Sequence, residues 1–269
     1  MGISIGGLPY SAASLIEASA DLKKMVDQVG TVRTQAAQFW CKPTTYELGW
    51  TPMGRPIFSC FHKSLLNSWA DFTHLSDRES WPAAKGKFAL SQQYFSGPML
   101  DDPFYESPSG PKQKPEFLDE SRGAELAKAT ARKLLDDGIG WIWPDSVTDT
   151  KNPDSQFEND LLVDNRPVIP SGSSAFDAQF FRGNVAPTER FVLTLSGTLQ
   201  HRRYPDQSGF DNLVFAGDWT RNDFNIGNVE AKVMSGMLAA NAISGYPSKK
   251  DIVGIGFLTS NLDEDGKEL

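Results

Sequence analysis

Asn212-Leu-Val-Phe-Ala-Gly217-Asp218-Trp219-Thr220, followed by Asn225-Ile226-Gly227-Asn228-Val229-Glu230-Ala-Lys-Val-Met-Ser-Gly236, carries more structural information than any other part of the chain. A short apolar run meets a Gly-Asp turn, a loop follows, and a helix is predicted from Gly227. Asp218, at the end of a strand, is placed to accept hydrogen bonds from sugar-like hydroxyls. The free N–H groups and positive dipole end of the helix suit an anionic or electron-rich ring edge. An ordinary strand-turn-helix unit with no ligand is the alternative.

The stretch resembles the C-terminal flavin-binding motif of FAD-dependent amine oxidase and phytoene-desaturase-like oxidoreductases, the hydroxysqualene-dehydrogenase-like branch above all. Further landmarks in family order are Gly2-Ile-Ser-Ile-Gly-Gly-Leu-Pro9, Trp143-Pro144-Asp145, Phe180-Phe-Arg-Gly-Asn184 and Arg190-Phe-Val-Leu-Thr-Leu-Ser-Gly197. The resemblance implies FAD as cofactor. Gly217, Asp218, Trp219, Asn225, Ile226, Gly227, Asn228 and Val229 would be its contacts. The backbone at Gly227 to Val229 would face the ring, and Asp218 the ribityl or pyrophosphate side.

Family members open with a strand, a G-x-G-x-x-G turn and a helix that hold the ADP part of FAD, with an acidic residue about 20 positions on. No such fingerprint occurs here. Gly2 to Gly7 has the wrong spacing, and Gly138-Ile-Gly140 and Gly254-Ile-Gly256 lack the third glycine. The chain is therefore expected to be the C-terminal half of such a flavoenzyme. A complementary subunit would supply the ADP-binding half; a truncated product is the competing expectation. A non-catalytic binding or regulatory module is the reading from another class. A small organic substrate would give hydride to flavin, with no side-chain base identified.

The family's amine oxidases place a Lys facing flavin N5 in a Gly-Ser-Val-x-Lys pattern. The similar run here is Gly30-Thr-Val-Arg-Thr34, so Thr34 stands at the Lys position. This argues against Lys-assisted amine oxidation and for a dehydrogenase, desaturase or isomerase. Thr34 and Arg182 are the substrate-site candidates. Arg202 and Arg203 beside Tyr204 are weaker candidates for a phosphate or carboxylate.

Net charge of −8 and pI about 5.0 argue against nucleic-acid or anionic-membrane binding. No apolar run approaches the ~20 residues of a membrane span, and no signal peptide is evident, so a cytoplasmic location is expected. The two cysteines, Cys41 and Cys60, form no metal or redox motif. His62, His74 and His201 lack ligand spacing, so no metal is expected.

The fold class expected is α/β (α+β mixed): a substrate domain with a mixed sheet and helices, plus the C-terminal part of a Rossmann-like FAD domain. The expected division is 1–9 as a remnant of the FAD domain, 10–199 as substrate domain, 200–247 as FAD domain and 248–269 as tail. Helices are predicted after Asp21, over His62 to His74, Leu118 to Asp137 and Gly227 to Ser244. Strands are predicted over Thr31 to Trp40, Lys87 to Phe95, Phe191 to Leu195 and Leu213 to Ala216. The last helix is expected to carry Val229, Val233, Gly236, Met237, Ala240 and Ile243 on one face, packed on a sheet. Residues 97–115 and 144–174 read as loops.

Overall fold

The structure is a computed structural model; it describes residues 1–52, 54, 56–58, 61–81, 88–99 and 120–256. The helices are α1 (Leu8–Ser11), α2 (Ala13–Ala18), α3 (Ala20–Gln28), α4 (Glu120–Asp137) and α5 (Val229–Ser244). The strands are β1 (Thr31–Val32), β2 (Thr34–Cys41), β3 (Ile57–Phe58), β4 (Ser68–Asp71), β5 (Ser91–Pro98), β6 (Phe180–Asn184) and β7 (Phe191–Val192). Helices and antiparallel sheets together make a mixed α/β chain. Every pairing between these strands is antiparallel, where a mixed sheet was expected.

The chain forms two compact units. One joins residues 1–32 to 186–269, and the other spans 33–185. The sequence reading drew the lines at 9/10 and 199/200 instead. The helical residues after 10 join the first unit because Leu22 and Met25 bury against Phe215 and Trp219 in one core.

In the second unit the sheet order is β3-β4-β5-β2-β6. Alternation sends Ala37, Phe39 and Cys41 of β2 inward. They meet Ala131, Leu134 and Leu135 of α4, with Trp69, Phe95, Trp143 and Phe176 completing the core. α4 crosses β6 at two glycines. A Cβ on Gly183 would lie 2.6 Å from the Gly123 carbonyl oxygen, so the two backbones touch there. The part of the predicted helix before Glu120 lies outside the described residues, as does the start of the strand predicted from Lys87 and most of the 97–115 loop.

Residues 62–72 are not helical. Leu65, Leu66, Trp69 and Phe72 have helical spacing, yet Ser68–Asp71 forms β4, with Trp69 and Asp71 inward. Pairing of Trp69 with Phe95 and Phe58 outweighs the local period. Thr73–Arg78 follows as a 3-10 turn.

In the first unit, α3 is capped by Ser19, whose Oγ accepts from the Leu22 N–H at 3.2 Å. Asp21 sits inside the first turn and pairs with Arg203 at 2.6 Å. Leu213 to Ala216, predicted as a strand, belongs to no sheet. It runs beside the N-terminus: the Met1 amino group donates to the Val214 carbonyl at 2.5 Å, and the Ala216 N–H donates to the Met1 carbonyl at 2.9 Å. The strand predicted from Phe191 keeps two residues, paired with β1. No helix among the described residues is long and apolar enough to cross a membrane.

Candidate functional site

The Gly217–Trp219 turn lies in a cleft of about 470 Å³ in the first unit, within the volume range of small-molecule sites. Its walls are Gly2 to Ile5, residues 188–192, Ala216 to Trp219, and Lys232 from the first turn of α5. Two segments singled out separately in the sequence thus face one space.

Each part of the turn has a local cause. The Trp219 indole folds back over Gly217: a Cβ there would lie 2.3 Å from Trp219 Nε1. That nitrogen donates to the Ile3 carbonyl at 2.7 Å, across 216 positions of sequence. Trp219 is 1% exposed and belongs to the core with Phe215. Beneath the turn, Ser235 of α5 accepts from the Gly217 N–H at 2.9 Å, and Thr220 Oγ1 lies 2.7 Å from the same hydroxyl. The Asp218 carboxylate is held by Lys232, Nζ to Oδ2 at 3.3 Å. Sequence reading did not select Lys232, because its carboxylate partner lies 14 positions earlier in the chain.

The second half of the motif takes a different position. Asn225 is the only non-glycine with positive φ among the described residues, at 50°. Asparagine tolerates this left-handed conformation because its amide bonds locally. Its Oδ1 accepts from the Asn222 N–H at 3.0 Å, and Asn222 Oδ1 accepts from the Asn225 N–H at 2.9 Å. α5 begins at Val229, not Gly227. Asn228 is its N-cap, accepting from the Ala231 N–H at 2.7 Å, so one of the free donors is already satisfied. Gly227 lies under Phe191, where a Cβ would come within 2.5 Å of the ring. Ile226 and Val229 are exposed. Gly217, Asp218 and Trp219 therefore line the cleft, whereas Asn225 to Val229 are not among its lining residues, and Gly227 lies against the Phe191 wall.

The face of α5 expected to pack on a sheet is instead open. Val229, Val233, Met237 and Ile243 are all more than 40% exposed, and the buried side is Ala231, Met234, Ser235 and Ala239. This helix is apolar nearly all round, so its period could not say which side faces inward. Gly245, at φ 75°, ends it as predicted.

Thr34 and Arg182 lie in the second unit on the sheet face opposite α4. Thr34 pairs with Asn184 across β2 and β6. Asn184 Nδ2 donates to Thr34 Oγ1 at 2.9 Å, and Arg182 Nε donates to Asn184 Oδ1 at 3.1 Å. Asn184 links the two candidates, and only strand register reveals it. Phe180 and Tyr94 share this face. Burial raises the Tyr94 phenol above its ordinary pKa, and its ring stacks on Phe72 at 5.0 Å.

The remaining candidates have structural partners. Arg202 is 2% exposed and bonds main-chain carbonyls rather than facing a ligand. Arg221 stacks over Tyr204 at 5.0 Å. Among the described residues no His, Cys, Asp and Glu cluster is arranged to hold a metal. Cys41 is buried and free, and burial pushes its thiol up to about 12; Cys60 lies outside the described residues.

No family model matches this chain, and no curated protein matches it either.

Proposed function

We propose that this chain is the C-terminal half of an FAD-dependent oxidoreductase resembling the amine-oxidase and phytoene-desaturase group. The observation that carries the reading is the meeting of Gly2 to Ile5 with Gly217 to Trp219 in one cleft, through the Trp219 to Ile3 and Ala216 to Met1 hydrogen bonds. Both segments were chosen from the sequence for their likeness to flavin-domain landmarks, and they are far apart in the chain. The cleft is sized for one end of FAD rather than the whole dinucleotide, and its lining offers main-chain groups, two acidic residues (Glu189 and Asp218) and the cations Arg190 and Lys232. These donors and acceptors fit a polar ring edge and a hydroxylated chain.

In this reading the main chain at Gly2, Ile3 and Gly217 borders the bound group, and Asp218 receives its hydroxyls. Lys232 keeps the carboxylate oriented until they arrive. Flavin, when bound, supplies the hydride acceptor. Thr34, Asn184 and Arg182 orient the polar end of an organic substrate, and Phe180 and Tyr94 border its apolar part.

The partner of this reading is a chain carrying the G-x-G-x-x-G half. Support comes from α5: a helix apolar on both sides is ordinarily covered on both. Its outer face has the Val, Met and Ile surface that packs on a sheet. A cytoplasmic location and a small organic substrate complete the proposal.

The test is the visible spectrum of the purified chain after FAD is added and excess removed. Retained flavin absorbance is expected, strengthened when the complementary chain is present. A colourless protein under both conditions would overturn the reading. It would leave the non-catalytic module, which the Asp218 to Lys232 pair and the self-capped α5 favour.

A further inference from the structure

Arg202 has surroundings unlike those of any ordinary surface arginine. It is 2% exposed. Its Nη1 donates to the Asp218 carbonyl at 2.7 Å. Its Nη2 donates to the Leu193 carbonyl at 3.1 Å and to Thr194 Oγ1 at 2.9 Å. Thr194 Oγ1 in turn donates to the Asn225 carbonyl. The Nε has no acceptor among the described residues. Burial lowers the guanidinium pKa below its ordinary value, and the Asp218 charge draws it back.

A buried cation held mainly by neutral acceptors is costly, with a desolvation penalty of several kcal/mol. A simple tie between two loops needs no charge. What this group achieves is a three-way junction. One branch ends on Asp218 in the cleft, one on the chain after β7, and one passes through Thr194 to Asn225 ahead of α5. Only a planar fork reaches all three, whereas lysine offers a single point of attachment.

We infer that Arg202 is the positioning residue of the site, fixing the Gly217–Asp218 turn and the Asn225 loop in one arrangement. The carboxylate of Asp218 and the start of α5 then keep a constant separation. For a group bound in the cleft beside Asp218, holding the turn beforehand removes an ordering cost from binding. The identity of that group rests on the flavin reading above; the junction itself does not.

Amide hydrogen exchange on the full chain, with Arg202→Ala and Thr194→Val, tests the inference. Arg202→Ala is expected to speed exchange about 10-fold or more at both Thr220 and Asn225, while β2 and β5 amides stay protected. Thr194→Val cuts one branch and is expected to release Asn225 but not Thr220. Guanidinium ion at low millimolar concentration is expected to restore Arg202→Ala, and tetramethylammonium to do nothing. FAD retention, read by flavin fluorescence, should fall and recover in step. If wild-type protein never retains FAD, the cofactor reading fails and exchange alone judges the junction. Uniform loss of protection through the first unit, with no guanidinium rescue, would overturn the positioning role. Should Arg202→Ala not fold, Thr194→Val decides: confined release of Asn225 supports the junction, and an unchanged pattern sinks it.

Discussion

Lys232 Nζ stands 3.3 Å from Asp218 Oδ2, so the carboxylate proposed to take ligand hydroxyls already has a cation as its partner. The lysine is 55% exposed, and the carboxylate 12%. The pair is lopsided: the acid is fixed by the fold and the base is a long, mobile arm. A ligand can therefore displace the lysine at little cost.

Two substitutions should separate these roles. Lys232→Met is expected to change stability by less than about 0.5 kcal/mol, because exposed ion pairs contribute little. Asp218→Ala is expected to weaken FAD retention about 10-fold or more, the loss of roughly one charge-assisted hydrogen bond. Urea titration and flavin fluorescence read the two effects. Equal loss of retention in both variants would show that the ion pair, not the acid, matters.

Gly217→Ala should destabilise by about 1–3 kcal/mol, as the new methyl meets the Trp219 ring at 2.3 Å. Gly236→Ala is the control. Nothing lies within 4 Å of its Cβ position, so the isolated chain should gain up to about 1 kcal/mol of helix stability. Thermal melts of both variants check the contrast.

The outer face of α5 offers a test of the proposed partner chain. Val233→Glu and Met237→Lys should leave the isolated chain within about 0.5 kcal/mol of wild type, since both positions face outward. The same changes should abolish co-elution with a complementary dinucleotide-binding chain. Loss of stability in the isolated chain would mean that the face is covered from within.

Asp177 predicts an acid limb. A hydrogen bond from Lys128 at 2.6 Å, then the Ser174 N–H, holds its carboxyl down to about 2. An unfolded aspartate titrates near ~3.9. The folded value is the lower one, so the stabilisation is complete above pH ~4 and disappears as pH falls through about 2. With the carboxylate 33% exposed and screened by solvent, the contribution is about 1 kcal/mol. Asp177→Asn should lose that much at neutral pH and show a shallower acid transition between pH ~4 and ~2. Urea midpoints across that range are the measurement.

Several features were legible in the chain itself because their causes are local. The αL glycine after Ser244 ends α5, and the 3.6-residue spacing of Leu22, Met25 and Val26 makes α3. The Gly-Asp-Trp turn was recognisable from composition and order. A strand was read over Thr31 to Trp40, and β2 covers Thr34–Cys41 of it. A charge of −8 and the absence of a long apolar run were open to plain counting.

Tertiary structure decided what depends on distant partners. Ser68 to Asp71 became a strand because neighbouring strands offered backbone pairing that a lone helix period cannot weigh. α5 turned Ala231, Met234, Ser235 and Ala239 inward, with Ser235 meeting Gly217, and Val229, Val233, Met237 and Ile243 were left outside. The lysine beside Asp218, the asparagine between Thr34 and Arg182, and the junction at Arg202 all join residues through space. Hydrogen bonds and ion pairs form at a few ångströms whatever the separation along the chain, so no pattern of spacing could announce them.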